Sequence, residues 1–155
     1  MPTETSDHAP VRVHPPVLWL LFVGAAVLLQ RAVPLSVTSM IARWAGLLLA
    51  TVGILPALLA IWHFYRARTT LHPHGSVKVL LTEGPYRYSR NPIYLAYLAC
   101  LIGLPLAAGS WWGALLAPVF VPAMNRLVIS AEEEYLRKKF PGDFARFSAR
   151  VRRWI

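Results

Sequence analysis

Trp44 to Tyr65 is an apolar run of 22 residues with no formal charge unless His63 is protonated. A helix of that length crosses a hydrocarbon core of roughly 30 Å, and lipid offers no water to an unpaired backbone amide, so the run is predicted as a membrane-spanning helix. Three further apolar stretches accompany it. Val17 to Leu29 is shorter, opened by Pro15-Pro16, and extends through Gln30 and Arg31 to Leu35 if Arg31 snorkels to the interface. Ile93 to Gly109 and Trp111 to Ile129 read as an apolar hairpin hinged at Gly109-Ser110, with Trp111-Trp112 placed like an interfacial aromatic belt. At 56% hydrophobic residues the chain is too apolar for an ordinary soluble domain of its size. The expected fold is all-α and integral to the membrane: about four transmembrane helices plus a C-terminal amphipathic helix, in one domain over 1–155 with an N-terminal tail at 1–16.

Charge orients these spans. Five Lys/Arg lie between Arg66 and Asn91 and seven follow Glu134, whereas only Arg31 and Arg43 lie between the first two spans and none between Leu104 and Trp112. Positive-inside bias then places both termini and the 66–91 loop in the cytoplasm, as expected of a multi-pass protein of the inner, cytoplasmic membrane. The net charge of +9 is accounted for by topology and by anionic lipid head groups. No nucleic-acid partner is expected, because the aromatics sit in the apolar spans and not along a basic groove. The single Cys100 excludes an intrachain disulfide and a Cys-based zinc cluster, and His72-Pro73-His74, with no third ligand nearby, reads as a loop, so no metal is expected. Glu4 and Asp7 stand where a signal peptide would carry a basic region, so none is expected.

Two polar clusters interrupt the apolar pattern, and both fall on the same predicted face. The first is Gly84-Pro85-Tyr86-Arg87-Tyr88-Ser89-Arg90-Asn91-Pro92-Ile93-Tyr94. Pro92 suits the first turn of a helix, whose next amides are unpaired and attract an anion, while Asn91 is placed either to cap that helix or to bond a ligand. Taken alone, Arg90-Asn91-Pro92 is equally a plain helix start with a snorkelling Arg. The second cluster is Glu132-Glu133-Glu134. Three carboxylates are unfavourable at a helix C-terminus, so the helix is expected to run on past Lys138-Lys139, with Ile129, Glu132, Glu133 and Leu136 facing the protein and Glu134 paired with Lys138 in solvent. The competing reading of this cluster is a surface charge run. Phe144, Phe147, Val151 and Trp154 at helical spacing predict an amphipathic tail helix.

An anion-accepting helix start beside a carboxylate pair suits a zwitterion with an additional cation, the chemistry of S-adenosylmethionine. The region 80–155 resembles the membrane methyltransferases of the isoprenylcysteine carboxyl methyltransferase and phospholipid methyltransferase group. Their Gly-x-Tyr, Arg-His/Asn-Pro-x-Tyr and Glu-Glu-x-x-Leu patterns stand here as Gly84-Pro85-Tyr86, Arg90-Asn91-Pro92-Ile93-Tyr94 and the Glu132–Leu136 run. A Phe-Gly-x-x-Tyr-like tail stands at Phe140-Pro141-Gly142-Asp143-Phe144. The resemblance implies an S-adenosylmethionine-dependent enzyme that releases S-adenosylhomocysteine. It further implies cofactor contacts from Lys78, Val79, Leu80, Leu81, Tyr86, Asn91, Pro92, Ile93, Tyr94, Glu132 and Glu133.

Two departures from the family pattern shape the acceptor. Asn91 replaces the His of the eukaryotic enzymes and removes a titratable group, and Ser130-Ala131 replaces a basic residue, which leaves substrate positioning to Arg90 or Arg126. Methyl transfer from a sulfonium is an in-line displacement that needs placement in a water-poor site more than acid-base help. A carboxylate needs no general base, so the expected acceptor is a lipid-borne or hydrophobic carboxylate of the isoprenylcysteine kind. A phospholipid amine is the alternative, and a non-catalytic assembly subunit using the Glu cluster for docking is the alternative from another class.

Overall fold

The protein is described here from a computed structural model, which describes residues 11–66 and 79–155. Among these residues six α-helices follow one another: α1 (Pro15–Ala32), α2 (Met40–Arg66), α3 (Pro92–Ala107), α4 (Trp112–Met124), α5 (Ser130–Lys139) and α6 (Pro141–Arg150). A 3₁₀ turn, Gly84–Arg87, precedes α3, and a π-helical segment, Asn125–Ile129, joins α4 to α5. Pro15-Pro16, Pro92 and Pro141 each stand at a helix start, where a missing N–H costs nothing.

Among the described residues three helices are long and apolar enough to cross a membrane: Pro15–Ala32, Met40–His63 and the continuous Trp112–Lys139. The first two expected spans are thus present with longer ends, and the last helix does run on past the glutamates. Over its 16 residues α3 rises only about 24 Å, short of a typical hydrocarbon core. It is the centre of the bundle nonetheless, packed by α2 on one side and by α1 and α4 on the other.

Small residues let α2 and α3 approach. A Cβ on Gly46 would fall 2.8 Å from the Gly103 carbonyl oxygen and one on Gly103 would fall 2.5 Å from that of Gly46, so the two backbones touch where these glycines meet. Ala50, Ala57, Ala60 and Ala96 are buried along the same seam. The opposite face of α2 is apolar and exposed, including Leu48, Val52, Leu55 and Leu58. In a membrane protein that face meets lipid.

The expected hairpin turn lies between α3 and α4, with Gly109 at φ +94, a conformation that L side chains rarely adopt. The α1–α2 connection is sewn to it: Val37 N donates to the Gly109 carbonyl (2.8 Å), Trp111 N to that of Leu35 (3.0 Å), and Ser110 Oγ to Gln30 Oε1 (2.9 Å). Arg43 Nε donates to the Ala107 carbonyl (3.1 Å), satisfying the end of α3. Both polar clusters stand at the opposite end of the bundle.

The expected amphipathic tail helix is present as α6, with Phe144 and Phe147 buried among Ala60, Tyr86, Leu136 and Phe140, but it stops at Arg150, short of Val151 and Trp154. Val151 to Ile155 then turns back across the start of α3. There Trp154 leaves the α6 face and packs on the cluster around Phe120, Met124 and Val128.

Candidate active site

The signature opens in a tight turn. Gly84 has φ +60, and a Cβ there would fall 2.6 Å from the imidazole of His63, so the end of α2 lies directly on the motif. Tyr86 is buried against Ala60, Phe144 and Phe147. That burial, and secondarily the charge of Glu132, push its phenol well above the ordinary value, so it stays protonated. Ser89, 2% exposed, accepts from Asn91 N (3.0 Å) and donates to the Arg153 carbonyl (3.4 Å).

At the start of α3 the Asn91 side chain does not cap the helix. Its Nδ2 donates instead to the Arg153 carbonyl (2.9 Å), while its own carbonyl accepts from Tyr94 N and Leu95 N, both at 3.0 Å. Arg90 N donates to the Arg152 carbonyl (3.0 Å). The tail therefore occupies the place at which the isolated motif offers its polar groups.

The two adjacent glutamates have opposite surroundings. Glu133, 7% exposed, receives a two-pronged contact from Arg153, Nε to Oε1 at 3.1 Å and Nη2 to Oε2 at 2.6 Å, and a third from Arg90 Nη2 at 3.1 Å. Those hydrogen bonds hold the Arg153 guanidinium above its ordinary pKa. Arg90 also reaches the Ser148 carbonyl (3.4 Å) and keeps its Nε–H buried without a partner. Glu132 instead accepts one neutral hydrogen bond, from Tyr94 Oη at 2.6 Å. Among the described residues no Lys or Arg pairs with it. Glu134 is solvated and paired with Lys138 at 2.7 Å, as the helical spacing predicts.

The structure thus brings Arg90, Asn91, Tyr94, Glu132 and Glu133 to one place, with Tyr86 beside them, while Leu80, Leu81 and Ile93 pack on the Tyr86–Phe144 cluster. Pro92 is fully buried, and Val79 is half exposed. Arg126 is exposed on the π-helical segment and takes part in none of these bonds. Lys78 and the run His72-Pro73-His74, expected as a loop, lie outside the described residues. Among the described residues no group of His, Cys, Asp or Glu could hold a metal ion.

A paired carboxylate thus stands beside one with no cation among the described residues, at the Pro-started end of α3 in an apolar bundle. Comparison with known proteins gives it a family: the phospholipid methyltransferase family matches residues 41–143. The chain belongs to that family. An uncharacterized protein of Haemophilus influenzae is 33% identical over 66 residues, covering 41% of this chain and 100% of that protein. No solved structure matches the chain. The match to the phospholipid methyltransferase family begins within α2 and so takes in His63, upstream of the region whose motifs carry the resemblance.

Several residues that the fold brings to this candidate site are not legible as such in the sequence. Arg153 stands in a basic tail that reads as a topology signal. His63 reads as one polar residue at the end of a span, and only the packing of α2 on Gly84 brings it to the motif. Its Nδ1 lies 2.8 Å from the Leu59 carbonyl and must donate there, so in the neutral ring Nε2 carries the lone pair. A groove of about 500 Å³ opens beside it, with Pro56, Leu59 and Leu95 toward the apolar side and Arg87 and Ser89 among the polar lining.

Proposed function

We propose that the protein catalyses S-adenosylmethionine-dependent methyl transfer to a lipid-borne or hydrophobic acceptor at the cytoplasmic end of a four-crossing bundle in the inner membrane. One observation carries the reading: Glu132, partly buried and held by Tyr94, has no cation among the described residues, while Glu133 beside it has two. A partly buried carboxylate without a counter-charge is costly unless a ligand supplies one. The donor fits, since it brings an ammonium and a sulfonium, and when bound it supplies an electrophilic methyl group. Glu132 and Tyr94 would meet a cationic centre of the donor, Tyr86 and Ile93 would wall it, and the apolar bundle would exclude water from the reacting atoms.

For the acceptor, a carboxylate remains the simplest reading, because it is already a nucleophile at neutral pH. A specific observation favours the phospholipid amine as a second reading. His63 presents its Nε2 lone pair at Gly84 beside the groove, so a proton acceptor stands next to a motif that carries none of its own. Titration of detergent-solubilised protein with S-adenosylhomocysteine tests the donor site, and absence of binding by the wild type refutes it. Transfer of labelled methyl into membrane lipid then separates the acceptors: base-labile label marks an ester, base-stable label an amine.

A further inference from the structure

We propose that Arg153 is a positioning residue of the donor site, holding Asn91 and the Glu132–Glu133 turn in register with each other. The inference rests on the donor reading above and concerns a residue outside the motifs.

Pairing alone does not call for Arg153. Glu133 already has an ion pair with Arg90 at 3.1 Å, and Arg90 is the more buried of the two guanidiniums, at 15% side-chain exposure against 34%. What Arg153 adds is geometry. Its planar fork meets both oxygens of Glu133, at 3.1 and 2.6 Å, which fixes the orientation of the carboxylate as a point charge could not. Glu133 neighbours Glu132 on α5, so clamping one sets the rotation at which the other meets Tyr94.

The same residue holds the other half of the site through its backbone. The Arg153 carbonyl accepts from Asn91 Nδ2 at 2.9 Å and from Ser89 Oγ at 3.4 Å. Its neighbours anchor the returning strap, Val151 to Ile155, independently: the Arg152 carbonyl accepts from Arg90 N at 3.0 Å, and the Trp154 indole donates to Asn125 Oδ1 at 3.1 Å on the π-helical segment. These bonds survive loss of the guanidinium. The side chain can therefore be removed while the strap stays in place, which separates positioning from folding.

The test uses the full chain in detergent, with S-adenosylhomocysteine affinity, the split between donor KM and kcat, and the ligand-free melting midpoint as readouts. Arg153→Ala is expected to weaken binding and raise donor KM about tenfold or more, because small misplacements at such sites are amplified. Its melting midpoint should stay within a few degrees of the wild type, since Arg90 still neutralises Glu133. Arg153→Lys keeps the charge without the fork and is expected to recover only part of the affinity, and it serves as the folded variant if the alanine form does not accumulate. Wild-type affinity in either variant overturns the proposal, as does a melting loss with normal binding by the folded fraction. A wild type that binds no S-adenosylhomocysteine overturns the donor reading and this role together, whereas a binding wild type with an equally binding Arg153→Ala overturns this role alone.

Discussion

Adjacent glutamates that differ by one position in the chain are expected to answer the same substitution in opposite ways. In Glu133→Gln, two guanidiniums face an uncharged amide whose NH₂ opposes their own donors. Breaking a buried pair by removing one partner costs about 3–5 kcal/mol, and water reaching the one-third-exposed Arg153 puts this case near the low end, at about 3 kcal/mol. For a chain of this size that is a loss of roughly 6–12 °C in melting midpoint. In Glu132→Gln, by contrast, the new amide oxygen still accepts from Tyr94, and the removed charge had no counter-ion among the described residues. Its midpoint should move by less than about 3 °C, in either direction. Its affinity for S-adenosylhomocysteine should fall about tenfold or more, the worth of one charged hydrogen bond of about 1.5–3 kcal/mol. Both variants are purified in the same detergent, melted at one scan rate, and titrated with ligand. Equal destabilisation of the two, or intact binding by Glu132→Gln, would refute the division of labour between them.

Tyr94→Phe removes the hydroxyl that holds Glu132 and should weaken the same ligand severalfold with little change in melting midpoint, measured in the same titration. Gly103→Ala would place a methyl 2.5 Å from the Gly46 carbonyl and force α2 from α3, so it should cost about 1–3 kcal/mol or more and show as a midpoint several degrees lower. Gly24→Ala is its control, since nothing lies within 4 Å of that position, and its midpoint should be unchanged or raised. Gly84→Ala combines a positive φ with a clash against His63, and should lower methyl-transfer turnover. Intact turnover in Gly84→Ala would show that the turn and the imidazole can separate without consequence.

The helices and their rough limits are legible because lipid leaves a backbone few choices: an apolar run of sufficient length must be helical, and Pro15, Pro92 and Pro141 mark where helices begin. The inward face of α5 and of the segment before it is legible from spacing, and Ile129 and Glu133 are buried while Glu134 is solvated with Lys138. The amphipathic reading of the tail extends too far, because periodicity counts Trp154 with Phe144 although the helix ends at Arg150. The π-helical segment at Asn125–Ile129 leaves no mark in an apolar pattern. It offers Asn125 to both Ser130 and Trp154.

By itself the sequence determined the class: charge asymmetry and apolar lengths call for an all-helical membrane protein, because these properties follow from local composition, and the motifs at 84–94 and 132–136 resemble those of the membrane methyltransferases. Which glutamate is neutralised and which has no cation among the described residues was decided only by tertiary structure. That choice depends on where Arg90 and Arg153 arrive, and their positions follow from a chain that passes through α6 and returns. Electrostatic pairing acts over a few ångströms in space, whatever the distance along the chain, and residues 20 and 43 positions away become Glu133's nearest charges only once the bundle has closed.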